Sequence, residues 1–293
     1  MNPKVSEMKI GAMVESFRAG FRGGVEKAAS LGVAGVQVYA TRGELAVDDM
    51  TPAKIKEALD IVRSNGLVFS ALCGDFGVGF TDPEKNKIYV EKSKRIVDLA
   101  LELDCKVVTT HIGTVPAEEN ETKKIMREAC RDLAVYADSV GAAFAVETGP
   151  EVATLLCEFL DSLGAGGVRV NFDPANLVMV AGDRPETAVK TLGKYIVHTH
   201  AKDGIMLKRT EAVEGLQISE EAAEHNALMD MGKKYLELPL GQGGVNFDTY
   251  LPALKETGFD GFLTIEREVG ANPEADISMA AKFLAEKIKQ YNL

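Results

Sequence analysis

The chain has no tryptophan, only four cysteines and only four histidines in its 293 residues. Cys73, Cys105, Cys130 and Cys157 lie far apart and form no C-x-x-C pair. That spacing excludes a zinc knuckle and offers no disulfide framework, so the cysteines read as reduced thiols. Long apolar runs are missing as well. No stretch approaches the roughly 20 residues that a membrane-spanning helix requires. Met1–Lys9 is polar and carries no apolar signal core, so a cytoplasmic location is expected and no membrane partner. Basic charge is also scarce: 33 Lys and Arg face 44 Asp and Glu, a net charge of −11. Such a surface disfavours phosphate backbones and anionic lipid, so no nucleic acid partner is expected. No Gly-rich dinucleotide fingerprint follows any candidate strand. None of these absences excludes a small sugar or hydroxy acid.

What is present is a regular alternation. Apolar runs at Met8–Val14, Val33–Tyr39, Leu67–Cys73, Lys106–Thr110, Ala142–Val146, Val168–Phe172, Tyr195–Thr199 and Gly261–Ile265 read as buried parallel strands. Helical segments separate them: Phe21–Leu31, Pro52–Asn65, Asp82–Leu103, Glu118–Val140, Glu151–Leu163, Arg184–Leu192 and Phe247–Thr257, with Pro273–Gln290 closing the chain. Thr51 and Asp82 stand at helix-capping positions, Pro83 at a first helical position, and Gly66 and Gly141 at helix stops. Eight strands in strict alternation, with no linker between, predict an α/β fold: a single (β/α)8 TIM barrel spanning 1–293. One connection breaks the rhythm. After His200 the chain runs from Ala201 to Asn246 before the next barrel helix, an insertion of about 204–245. It holds a short helical segment, Ser219–Leu228, and a turn around Leu238–Gly244. A loop this long over the active face reads as a lid, a partner contact or a neutral insertion. Gly241-Gln-Gly-Gly244 lacks the strand-to-helix placement of a phosphate loop and reads as a simple turn.

Four strand candidates end in chemistry. Glu147, Asp173, His200 and Glu266 each follow directly on such a run. Groups at the carboxyl ends of barrel strands meet on one face. Three carboxylates and one imidazole form a hard, oxygen-rich site for one divalent cation, suited to Mn²⁺, Mg²⁺ or Co²⁺ and accepting Zn²⁺. Open positions on such an ion would take adjacent carbonyl and hydroxyl oxygens of a sugar and stabilise an enediolate. Glu147 and Glu266 come from separated strands and could divide proton removal and return. Alternation adds a second layer: residues two earlier share a face, so Thr109, Asn171, His198 and Thr264 are expected beneath the charged groups. His198 reads as support rather than as a ligand.

The segments Ala145-Val-Glu-Thr-Gly149, Val170-Asn-Phe-Asp-Pro-Ala-Asn176, Val197-His-Thr-His-Ala-Lys-Asp203 and Leu263-Thr-Ile-Glu-Arg-Glu268 resemble the xylose-isomerase-like barrel superfamily, over nearly the whole chain. The resemblance implies one metal bound by Glu147, Asp173, His200 and Glu266. From the ketose 3-epimerase branch it implies Glu147 and Glu266 as the acid/base pair. The implied activity is isomerisation or epimerisation of a sugar, keto-sugar or related polyol. The resemblance also allows a homo-oligomer, with the insertion as a contact.

Departures are equally plain. The ketose 3-epimerases carry a histidine where this chain has Asn176, and an arginine where it has Met206. Lys202 and Asp203 follow His200 after Ala201; Lys202 reads as a substrate contact or proton donor, or as a salt bridge to Asp203 or Glu268. His111, ending the fourth strand, reads as a substrate contact or alternate acid/base. Asn176, Asp203, Glu15 and Tyr39 complete the substrate-facing candidates, with Gln37 and Asp75 beside them. Arg267 has the opposite parity to Glu266 and is expected to face the helices.

Three other functions remain. A lyase would start from the same proton abstraction and expel a group from a keto-inositol or 3-keto-glycoside, the route of inosose dehydratases in this superfamily. A DNA-repair endonuclease would need a basic groove and further zinc ligands; the one histidine left over is His225, inside the insertion. A non-catalytic barrel would be expected to have lost a strand-end ligand.

Overall fold

The computed structural model describes residues 7–211 and 219–293. Seven parallel strands run in sequence: β1 (Lys9–Met13), β2 (Gly35–Tyr39), β3 (Val68–Cys73), β4 (Val107–Thr110), β5 (Ala143–Glu147), β6 (Val168–Phe172) and β7 (Ile196–Ala201). An antiparallel hairpin follows, β8 (Asp203–Met206) with β9 (Tyr235–Leu238), and then the eighth barrel strand, β10 (Phe262–Ile265). The barrel closes in the order β1-β10-β7-β6-β5-β4-β3-β2. Every expected strand is present, with ends moved by no more than two residues.

The helices are α1 (Gly20–Ser30), α2 (Pro52–Ser64), α3 (Pro83–Glu102), α4 (Glu121–Val140), α5 (Ala153–Asp161), a single turn α6 (Pro174–Asn176), α7 (Pro185–Leu192), α8 (Glu220–Asp230), α9 (Phe247–Glu256) and α10 (Pro273–Tyr291). Their ends follow local chemistry. The Asp82 carboxylate accepts the amides of Glu84 and Lys85, and Pro83 at the first position needs no partner for an amide it lacks. Helix α4 starts three residues later than its apolar pattern suggested, because the Asn120 side chain accepts the Lys123 amide and fixes the cap there. Its buried side chains, Met126, Cys130, Leu133 and Ala137, recur at three- and four-residue spacing and pack on the sheet. Truncating one of them, Leu133 to alanine, would cost about 2–5 kcal/mol. Phe172 and Tyr250 stack at 5.5 Å between β6 and α9.

Two irregularities bear on the site. The register shifts between Val36 and Gln37 on β2 and between Val170 and Asn171 on β6. Both shifts fall at polar residues that point to the axis, where a bulge re-aims a side chain. The insertion is built on the β8–β9 hairpin and on α8, capped by Ser219. Its residues 212–218 lie outside the described residues. Among the described residues, no helix is long and apolar enough to cross a membrane.

Candidate metal centre and active pocket

Glu147 ends β5, and Asp173, His200 and Glu266 stand at or just past the ends of β6, β7 and β10. One ligand atom from each lies within 4.8 Å of the others, and all four residues are buried. Asp173 is fixed from several sides. Its Oδ1 accepts the amides of Ala175 and Asn176, its own amide donates to Thr148, and Thr148 donates back to its carbonyl. Its Oδ2 is buried and has no hydrogen-bond partner. A buried carboxylate oxygen without a partner is costly unless something positive faces it. Three carboxylates around one imidazole are the donor set for a hard divalent cation, and that oxygen is aimed among them. The residues present therefore fit one.

The expected polar layer is present and connected. The Thr264 hydroxyl lies 2.9 Å from His198 Nε2, and His198 Nδ1 lies 2.9 Å from Asn171 Oδ1. The Asn171 amide then donates to Glu147 Oε2 at 3.2 Å. The Asn171 oxygen accepts from Nδ1–H, and in the neutral ring Nε2 accepts from the Thr264 hydroxyl. Burial and the neighbouring charge of His200 push the pKa of His198 down to about 3. On the other side, Gln37 Oε1 lies 3.1 Å from His200 Nε2, while the Gln37 amide donates to Thr109. Gln37 orients the imidazole from 163 residues away.

Electrostatics follow from this crowding. Burial opposes ionisation of Glu147, but the charges of His111 and His200 outweigh it and hold the carboxyl at about 2. Glu266 is also buried, yet Lys202 and His200 keep it well below the carboxylate range. Burial raises the pKa of Asp173. For His200, burial is overcome by Glu266 and Glu147, which raise its affinity for a proton. The cluster attracts positive charge from every side.

A cavity of about 260 Å³ opens over the cluster. His111 lines it, with Nδ1 3.2 Å from Asp75 and Nε2 3.5 Å from Glu147 Oε1. The Glu147 charge pushes His111 up to about 9, aided by Asp75. Asn176 lines the cavity and donates to Glu147 Oε1 at 2.8 Å. That approach needs Gly149, at φ 138°, because a Cβ there would lie 2.3 Å from the Asn176 Cβ. Tyr39 also lines the cavity, with the Arg42 guanidinium 3.6 Å from its ring centre.

Lys202 is buried, and its ammonium pairs with Glu266 at 2.9 Å and Glu268 at 2.6 Å. Of the two partners expected from the sequence, Glu268 pairs with it and Asp203 does not; Glu266 is the added partner. Asp203 does not line the cavity: its carboxylate accepts the amides of Gly204, Gly241, Gly243 and Val245, tying the Gly-rich turn to the barrel. A Cβ on Gly243 would lie 2.2 Å from an Asp203 oxygen, so the turn closes only on glycine. Glu15 likewise turns from the cavity and accepts the Tyr39 amide. Arg267 pairs with Asp276 of α10 and with Glu237 of the hairpin. Tyr235 and Val180 also line the cavity, although no strand-end pattern marked them. Tyr235 is carried by the hairpin, whose four-residue strands are too short to give a periodic signal.

A parallel (β/α)8 barrel with a candidate metal centre at the carboxyl ends of its strands is thus defined. The chain belongs to the xylose isomerase-like TIM barrel family, whose profile matches residues 25–287. It is similar to a xylose isomerase domain protein from Planctomyces limnophilus, at 25% identity over 98% of both chains with a TM-score of 0.77. A D-tagatose 3-epimerase-like protein superposes at TM-score 0.73, with 19% identity and 97% and 98% coverage. The probable 3-DHS dehydratase AsbF of Bacillus anthracis gives 0.70, at 17% identity over 95% of this chain and 99% of that one. These two likenesses bear on the fold alone. Two uncharacterized proteins are also similar. YfiH of Bacillus subtilis is 28% identical over 124 residues, 42% of this chain and 38% of that protein. MJ1311 of Methanocaldococcus jannaschii is 24% identical over 215 residues, 69% and 64%. The chain thus spans less than two thirds of the length of these curated relatives.

Proposed function

We propose that the chain is a divalent-metal-dependent isomerase or epimerase of a sugar, keto-sugar or related polyol. The observation that carries this reading is the convergence of Glu147, Asp173, His200 and Glu266 beneath an open cavity, with a buried Asp173 oxygen left unpartnered. A divalent cation held by these four would polarise a substrate carbonyl and stabilise the charge left when the adjacent proton departs. Glu147, steadied by Asn171 and Asn176, accepts that proton. Glu266 stands three strands away round the barrel, and the Lys202 ammonium that donates to it supplies the proton that Glu266 passes back to the substrate. His111, backed by Asp75 and half-exposed, exchanges protons between Glu147 and solvent. The xylose isomerase domain protein, 25% identical over 98% of both chains, is in keeping with this reading.

The test is solvent exchange: Mn²⁺-loaded protein is incubated with a panel of keto-sugars in D₂O. Deuterium at the carbon next to the carbonyl, with the sugar otherwise intact, is the expected result. No exchange on any member removes the reading. His111 favours a second reading, a lyase, because a protonated imidazole at the cavity wall can donate to a leaving hydroxyl. Loss of water or aglycone in the same assay would select it.

A further inference from the structure

The cavity has an unusual charge balance. Asp75, Glu147, Glu266 and Glu268 line it, and Asp173 lies in the cluster at its floor. Against these five carboxylates stands a single lysine, Lys202, and among the described residues no arginine lines the cavity. Lys202 is not free to meet a ligand's anionic group. Its ammonium is buried between Glu266 and Glu268, with Glu237 of the hairpin 3.9 Å away. Arg267 is held by Glu237 and Asp276, Arg18 donates to the carbonyls of Glu268 and Gly270, and Arg42 lies on the face of Tyr39; none of the three lines the cavity. A divalent cation and a protonated His111 together still leave the cavity net negative. Known phosphate and carboxylate sites instead present arginine forks or free backbone amides. Tyr39 and the half-exposed Tyr235 of the hairpin also line the cavity.

We infer that this pocket takes an uncharged polyhydroxylated substrate and discriminates against phosphorylated or carboxylated sugars, with Glu268 setting that discrimination by neutralising Lys202. Hydroxyls suit a carboxylate-rich wall, since each can donate to an acceptor that ionised acids supply in excess. An anion must approach uncompensated negative charge in a partly desolvated space. One such charge at about 10 Å weakens binding by roughly tenfold at an effective dielectric near 20.

The inference rests on the keto-sugar reading, and one experiment separates the two. Neutral ketoses and their monophosphates, such as D-fructose and D-fructose 6-phosphate, are titrated as matched pairs into Mn²⁺-loaded protein at low ionic strength, with binding followed by paramagnetic relaxation of ligand protons. The neutral member is expected to bind at least about tenfold more tightly, with the gap narrowing in salt. Glu268→Gln, at an exposed position, should narrow it about tenfold by leaving Lys202 less compensated. Phosphates that bind as tightly as their neutral partners, or tighter, overturn the inference and leave the keto-sugar reading standing. An unchanged gap in Glu268→Gln removes the role of Glu268. A panel in which nothing binds overturns both.

Discussion

The two halves of the barrel present different chemistry at the same level. Strands β5, β6, β7 and β10 lead to four buried groups whose donor atoms meet within 4.8 Å. Strands β1 to β4 contribute no member of that cluster. They supply Gln37 to the His200 ring, Thr109 to Gln37, and the Asp75–His111 pair to Glu147. One half concentrates negative charge where burial excludes water. The other keeps a half-exposed imidazole and neutral amides that aim and service it. A strongly charged centre needs contiguous strand ends, and its supports are most useful across the barrel, where they do not compete for the ion.

The largest expected effect lies in the acidic half. Glu147→Gln or Glu266→Gln should reduce turnover by about a thousandfold or more with the circular dichroism spectrum unchanged, consistent with loss of a general acid or base. Asp173→Asn should weaken Mn²⁺ binding in calorimetry, and chelation of the ion should lower the melting temperature of the parent but not of that variant. Normal turnover in Glu147→Gln would dissolve the contrast between the halves. Next comes His111→Asn, expected to lower kcat about a hundredfold while Mn²⁺ affinity stays constant. A parallel loss of metal affinity would move His111 into the ligand set. Gln37→Leu should weaken metal binding about tenfold, since it removes a partner that orients a ligand.

The smallest effect on activity is expected where the halves are stitched. Glu151, after β5, accepts the amide of Val115, after β4. Burial pushes its pKa up to about 7, so the folded protein holds this proton more tightly than the unfolded chain. The stabilisation from the protonated carboxyl is complete below about 4.5 and is lost as pH rises through about 7, at most about 3 kcal/mol. Glu151→Gln should flatten the dependence of melting temperature on pH between about 5 and 8. An unaltered slope would place the titration elsewhere.

Much of the acidic half was legible along the chain. A short apolar run that stops at an acid or a histidine carries its own signal, and alternation then places Asn171 and His198 beneath. The same rule explains the errors. Asp203 lies three residues past His200, but one residue past Lys202 the alternation turns it outward, into the Gly-rich turn. Lys202, on the inward parity, found Glu266 and Glu268, which keep that parity just past β10. The hairpin was not legible, because Asp203–Met206 and Tyr235–Leu238 are strands of only four residues defined by each other. Tyr235 and Glu237 reach the site on that account alone.

The sequence by itself determined the alternating elements, their caps, and which strand ends carry acid, because each depends on neighbours a few residues away. The tertiary structure alone decided that Gln37 meets His200, that His111 faces Glu147, and that Lys202 is shared by Glu266, Glu268 and the insertion. Barrel closure fixes the distances between strands that no local pattern encodes, and at those distances a charge finds its partner by position and burial rather than by order along the chain.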